Sequence, residues 1–321
     1  MRKSTPTGQQ QGSDLESVIG IDVGGTKTKA CLVKAATGEV LTEATEPTPC
    51  AEGGAAVLRL VDDLASRMEA ECTAKGQTAQ MLGLALPELV TLDGRPASAW
   101  NFDWQDLDFR TPLNRFNRLR LESDVRAAAF AEGWIGAGRG FDNFLYVTLS
   151  TGLSQTLVIN GRPYVGARGF PIHFGSSELV LYDGAGAETE VRQTLEEFAG
   201  GRALGRRYAA ATGCAHVTAR DLFAAETTDP IAAQIVASSL QSFASYLGQL
   251  INSFDPGAVV LGGGIGGQPG ITARISDATR PFIFANAARD LPILPAELGD
   301  QACAIGAAVL AVDAISHPSF Q

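Results

Sequence analysis

The chain has 321 residues, 45% of them hydrophobic and 19% charged, so it can bury a real core, and its length suits two ordinary domains or one large one. A formal net charge of −10 works against general binding to nucleic acid or to anionic membranes, although a local pocket for an anionic ligand stays open. Five scattered cysteines without a CxxC or CxC pair, and three dispersed histidines, offer neither a disulfide frame nor a zinc knuckle, and the expected compartment is the cytoplasm.

Residues 1–16, "MRKSTPTGQQQGSDLE", lack the apolar stretch of a signal peptide, and residues 1–17 are expected to form a flexible tail. The chain then reads strand, turn, strand. Val18–Val23 is apolar around one acid, Gly24 and Gly25 make the turn, and Lys27–Lys34 alternates. A second turn, "AATGEV", leads into "VLTEATE" and completes an antiparallel meander. In "GGAAVLRLVDDLASRMEAECTAKG", Val57, Leu60, Val61 and Leu64 have helical spacing, and Gly76 stops the helix. "MLGLALPELV" is a buried strand broken by Pro87, "LRLESD" is a short strand, and "VRAAAFAEGWIGAG" is an Ala-rich helix.

The same order then recurs. "FLYVTLS" is a strand, "TGLS" a turn, and "QTLVINGRPYV" a strand with an Asn-Gly turn at Asn160 and Gly161. "LEEFAGGRALGRRYAAATG" reads as a helix with internal glycines. "DPIAAQIVASSLQSFASYLGQLINSFDP" is a long amphipathic helix ended by Asp255 and Pro256. "AVVLGGGIG" is a strand entering a Gly-rich turn, and "CAIGAAVLAVDAI" is a closing helix. No apolar run is long enough to span a bilayer. A strand–Gly turn–strand unit near residue 24 and again near residue 152 predicts two related α/β halves across a cleft.

Several positions carry candidate chemistry, each with a plainer alternative. Gly24 and Gly25 let a ligand approach the main chain, and their N–H groups, with those of Thr26 and Lys27, can cradle phosphate oxygens. Asp22 is too close to phosphates to bind them directly, and a Mg²⁺ ion would reconcile the two. The alternative is a simple Gly-Gly hairpin with an incidental acid. Thr151 and Gly152 form a second such turn. Gly262, Gly263 and Gly264 leave room for a flat nucleoside ring, or merely make a tight turn. Asp124 stands between a strand and a helix, where it is either a helix cap or a base for a hydroxyl proton. Asn101, between aromatics in "AWNFDW", is either a polyol contact or a turn residue.

These pieces, in this order, resemble the ROK family of repressors, uncharacterised reading frames and sugar kinases, within the actin-like, hexokinase-like ATPase fold. The resemblance runs from about residue 18 to about residue 315. It rests on "IGIDVGGTKTKACLV", "ALPELVTLDGRPASAWNFDW", "ESDVRAAAFAEGWIGAGRGFDNFLYVTLSTG", "LEEFAGGRAL" and "DPGAVVLGGGIG". It implies two actin-like, ribonuclease H-like α/β domains flanking an active-site cleft: an N-terminal domain at 18–123, completed by a helix at 303–316, and a C-terminal domain at 124–302. It implies ATP-dependent phosphorylation of a sugar or sugar-like polyol, with Asp124 as general base. Asp22, Gly24, Gly25, Thr26 and Lys27 would face Mg²⁺ and phosphate, Thr151 and Gly152 the phosphates from the second turn, and Gly262, Gly263 and Gly264 the adenosine. Glu88, Asn101, Ser123 and His173 would surround the acceptor. A homodimer is expected by the same resemblance, with no nucleic-acid or membrane partner.

The departures from the family pattern carry information too. Ser123 replaces the usual Asn before the catalytic Asp. "PIHFGSSE" replaces the usual sugar and zinc segment, putting His173 where a sugar-binding Glu is expected and Ser176 where a zinc His is expected. "LVLYDGAGAETEVRQT" stands in place of the cysteine-rich zinc loop. A zinc-free member with an altered acceptor pocket is expected, favouring a C7 cyclitol or a modified sugar over glucose. Two rivals follow from the same likeness. A repressor would need a DNA-binding unit, for which only about 17 residues precede the first strand. A catalytically weak sugar sensor would fit the altered second phosphate turn. A NAD-dependent oxidoreductase lacks its G-x-G-x-x-G fingerprint.

Overall fold

The computed structural model describes residues 17–313 apart from 105, 181–191 and 215. The tail before Ser17, most of the stretch read as replacing the zinc loop, and the closing helix beyond Asp313 lie outside the described residues. In chain order the strands and α-helices are β1 (Ser17–Val23), β2 (Lys27–Lys34), β3 (Val40–Pro47), α1 (Gly54–Ala74), β4 (Met81–Leu86), β5 (Arg118–Ser123), α2 (Asp124–Trp134), β6 (Phe144–Leu149), β7 (Leu153–Ile159), β8 (Arg162–Pro163), β9 (Glu178–Val180) and β10 (Arg192–Thr194). They continue with α3 (Leu195–Ala199), α4 (Gly201–Thr212), α5 (Ala219–Ala225), α6 (Pro230–Phe254), β11 (Val259–Gly262), α7 (Pro269–Thr279), β12 (Ile293–Pro295) and α8 (Ala302–Asp313). The chain divides into two compact units. One runs to Ala127 and resumes at Cys303; the other spans Ala128–Ala302.

The first unit is built on a mixed five-stranded sheet of order β3-β2-β1-β4-β5. The expected meander forms β1, β2 and β3, while β4 and β5 join β1 in parallel. Successive residues of β1 serve opposite faces. Ile19 and Ile21 join Val57, Val61 and Leu64 of α1 in one core. Gly20 faces α8 instead. Gly20 and Gly83 are register partners on adjacent strands, and a Cβ at either would lie 1.9 Å from a backbone carbonyl of α8, Ala304 or Ala307 respectively. These two glycines therefore let α8 lie directly on the sheet backbone. The parallel strands also end on one edge, so Asp22, Glu88 and Asp124 leave the sheet beside one another. That carboxyl edge is where parallel α/β sheets offer ligand sites.

The second unit repeats the topology strand for strand. β6, β7 and β8 form the antiparallel part, β11 and β12 add in parallel to β6, and the order is β12-β11-β6-β7-β8. The Asn-Gly turn is present, with φ of 53° at Asn160 and 74° at Gly161, the signs a type I′ hairpin needs. Helix α6 starts at an Asp229 cap with Pro230 in its first turn and ends at Asp255, in the left-handed region at φ 45°. One expected helix is two. A Thr194–Glu197 capping box starts α3, and extended backbone at Gly200 ends it. Helix α4 then begins afresh at Gly201, because the N–H groups of Gly201 and Arg202 turn to the carbonyls of Ser150 and Thr151.

Candidate functional site

The first unit gathers its predicted residues at the carboxyl edge of its sheet. Asp22 is half-buried near the end of β1, Gly25 and Thr26 are exposed at the tip, and exposed Lys27 opens β2. The Gly24 N–H, expected to face phosphate, donates instead across the tip to the Lys27 carbonyl at 3.0 Å. Asn101 belongs to the loop after β4, and a Cβ at Gly25 would lie 3.9 Å from its Oδ1, so loop and tip are neighbours. Buried Glu88 holds that loop. Its Oε1 accepts from the Asn101 N–H at 2.7 Å, and its Oε2 accepts from the Trp100 N–H at 3.1 Å and from the Ser98 hydroxyl. The Asn101 amide donates in turn to the Pro87 carbonyl at 2.8 Å. Glu88 thus spends these bonds on the loop that presents Asn101, an arrangement its position after Pro87 did not reveal.

Asp124 is the first residue of α2, and its Oδ1 accepts the Val125 N–H at 2.6 Å. Burial pushes its carboxyl up to about 6, and the Glu88 carboxylate adds to the rise, while the Val125 N–H and Arg126 oppose it. Such a group is mostly ionised at neutral pH yet is a far better proton acceptor than an ordinary aspartate. Ser123, fully buried, precedes it. Beneath lies a buried ion cluster: Glu122 accepts from Arg126 Nε at 2.6 Å and from Arg120 at 3.0 Å, and Arg126 also donates to the Val90 carbonyl at 3.1 Å. One guanidinium thereby ties the start of α2 to the chain just after Glu88.

The second unit has its own carboxyl edge, where β6 and β11 end side by side with Thr148 opposite Gly262. The Ser150–Gly152 turn follows β6, and the Gly262–Gly264 turn follows β11. The Ile265 and Gly266 amides donate to the Leu149 carbonyl, and Gly264 lies near the Ser150 hydroxyl, so the two turns are packed together. Glu196 of α3 sits under Gly152, where a Cβ would be 2.7 Å from its Oε2, and accepts from the Leu153 N–H at 2.8 Å. His173 belongs to a loop beside β7, with its Nδ1 3.4 Å from the Ser176 hydroxyl. The predicted residues therefore form two sets, one per unit.

The ROK family pattern matches residues 18–314. The chain belongs to the ROK family. A glucokinase of Halalkalibacterium halodurans is 28% identical over 267 residues, which are 77% of this chain and 80% of that one. Among solved structures, a ROK hexokinase from Thermus thermophilus is 32% identical with a TM-score of 0.77, covering 94% of this chain and all of that one, 100%. A ROK family glucokinase from Streptomyces griseus, in complex with glucose and AMPPNP, is 26% identical with a TM-score of 0.76, covering 92% of this chain and 99% of that one.

Several residues of this ROK protein that touch the predicted ones carry no local signal in the sequence. Cys303, at the start of α8, is one. Burial, with the Asp22 and Asp124 carboxylates beside it, pushes its thiol well up, and the protonated thiol donates to Asp22. Thr48 and Cys50, after β3, bind the carbonyls of the tip at Gly24 and Gly25. Glu196 and Gly201 do comparable work at the second turn. Only the fold brings these distant stretches to the turns they support. Among the described residues, no group of three or more His, Cys, Asp and Glu side chains is arranged to hold a metal. Magnesium needs no such group, since one carboxylate with phosphate oxygens and water suffices. No helix of the described residues is long and apolar enough to cross a membrane.

Proposed function

We propose that this ROK protein transfers the γ-phosphoryl group of ATP to a hydroxyl of a sugar or sugar-like polyol. The observation that carries this reading is the edge of the first unit, where the tip at Gly24–Lys27, the Asn101 loop and a carboxyl of pKa about 6 at Asp124 stand together. The glucose and AMPPNP complex of the Streptomyces griseus relative supports it. In this reading Asn101 hydrogen-bonds the acceptor and Asp124 receives the proton of the attacking hydroxyl. The acceptor oxygen bonds to the γ-phosphorus as the bond from that phosphorus to the β,γ-bridging oxygen breaks, and ADP leaves. The amides of Gly25 and Thr26, and those at Thr151 and Gly152, orient the phosphates, and the glycines at 262–264 flank the adenosine. Asp22 would hold a magnesium ion, which when bound offsets phosphate charge.

The acceptor we favour is a C7 cyclitol or a modified sugar. His173 and Ser176 stand where a carboxylate and a zinc ligand were expected, and an imidazole can donate or accept where a carboxylate only accepts. A coupled ADP-release assay over glucose, amino sugars and cyclitols with MgATP tests both levels. Turnover on at least one polyol is expected. No turnover on any would refute the kinase reading, and glucose outpacing every cyclitol and amino sugar would refute the acceptor.

A further inference from the structure

The tip between β1 and β2 has its carbonyls tied back by one short segment. The Thr48 hydroxyl donates to the Gly24 carbonyl at 2.8 Å, the Cys50 thiol to the Gly25 carbonyl at 2.8 Å, and the Thr48 N–H to the Thr26 carbonyl at 3.0 Å. In a planar trans peptide the N–H points opposite to the C=O of the same unit. Holding the Gly24 and Gly25 carbonyls therefore directs the Gly25 and Thr26 N–H groups away from this segment. The Thr28 and Thr48 hydroxyls are 2.9 Å apart, and both residues are buried. Since Thr48 gives its proton to Gly24, Thr28 must be the donor to Thr48, and the chain Thr28 to Thr48 to Gly24 is polarised in one direction. The second unit uses the same device at its equivalent turn, where the Gly201 and Arg202 amides hold the carbonyls of Ser150 and Thr151 at 2.8 and 3.2 Å.

We propose that Thr48 is a positioning residue for the nucleotide phosphates, its hydroxyl and amide, with the Cys50 thiol, tying back the tip carbonyls so that the tip amides are aimed at the ligand. This rests on the kinase reading. It adds that the phosphate cradle is pre-organised from outside the glycine motif, by side chains the motif does not contain. A cradle held this way orders few bonds when the anion arrives, whereas a loose Gly-Gly tip would lose backbone freedom at that moment.

The test compares wild type with Thr48→Val, which keeps the shape and removes the hydroxyl, and with Thr48→Ser, which restores it. In Thr48→Val, affinity for Mg-AMPPNP falls on the order of tenfold, as expected for the loss of about one oriented hydrogen bond. Affinity for adenosine and KM for the acceptor hold within about twofold, and Thr48→Ser recovers most of the loss. Amide hydrogen exchange at Gly25 and Thr26 speeds up in Thr48→Val and returns in Thr48→Ser. A Thr48→Val variant that binds Mg-AMPPNP like wild type, or that loses adenosine in equal measure, overturns the proposal. If wild type binds Mg-AMPPNP but phosphorylates no polyol, the kinase reading fails while the cradle stands. A wild type that takes up no Mg-AMPPNP overturns both.

Discussion

Replacing Asp124 with asparagine should stop the reaction and stabilise the protein at once. The side chain keeps its size, and Oδ1 can still accept the Val125 N–H held at 2.6 Å. What disappears is a carboxyl whose pKa rises from the ordinary 3.8 to about 6, chiefly through burial and then through the Glu88 charge. The folded state holds this proton more tightly than the unfolded state. Its contribution to stability is thus intact below pH 3.8 and is lost as pH rises through about 6. At about 1.36 kcal/mol per pH unit, the full loss is about 3 kcal/mol, with roughly half of it in place by pH 5 and nearly all by pH 7. A neutral amide at this position carries no such cost. Urea denaturation of both proteins from pH 5 to 8 should show Asp124→Asn gaining on wild type as pH rises, up to about 3 kcal/mol. Turnover should fall about 10²- to 10⁴-fold, the usual worth of a general base, with Mg-AMPPNP affinity held. A variant no more stable than wild type at pH 8, with the same pH dependence, would show that Asp124 is not the strained group described, whatever happened to activity. Retained turnover would remove it from the chemistry.

The other expectations use the same geometry. Wild-type kcat/KM should climb with pH and level off above about 6, because the base works only when deprotonated. Glu88→Gln should move that acidic limb to lower pH by removing a neighbouring negative charge, and should raise the acceptor KM by freeing the Asn101 loop. A pH–rate profile with an unchanged limb would disprove the first part, and an unchanged acceptor KM the second. Gly83→Ala would place a Cβ 1.9 Å from the Ala307 carbonyl, so α8 must lift from the sheet, at a cost of about 3 kcal/mol or more. A denaturation midpoint equal to wild type would contradict that packing.

Local chemistry was enough for much of the fold. The β2 strand, the Asn-Gly hairpin at Asn160 and Gly161, the helical spacing in α1, and the Asp255 stop of α6 are short-range effects, and each appears in the structure, although β2 is buried on both faces from Thr28 to Val33 where an alternating strand was expected. Short elements such as α5, β12 and the pair β9 and β10 were not anticipated, because a few residues hold too little periodicity to stand out. The break at Gly200 was missed for another reason. A helix running on from α3 would satisfy local propensity, but the Ser150 and Thr151 carbonyls offer partners to the first amides of a restarted helix, and that competition exists only after folding.

The sequence by itself determined where the backbone could turn bare and where a carboxylate could sit: "DVGGT", "STG", "LGGG" and "ESD" follow from residue type and spacing. It left open what those groups would meet. Parallel pairing of β1, β4 and β5 decided that Asp22, Glu88 and Asp124 share one edge, and burial there decided that the Asp124 carboxyl is pushed up to about 6, well above an ordinary aspartate. The physical reason is range. Backbone conformation answers to neighbours in the chain, whereas desolvation and the supports supplied by Thr48, Glu88 and Cys303 arise only when distant segments are packed together.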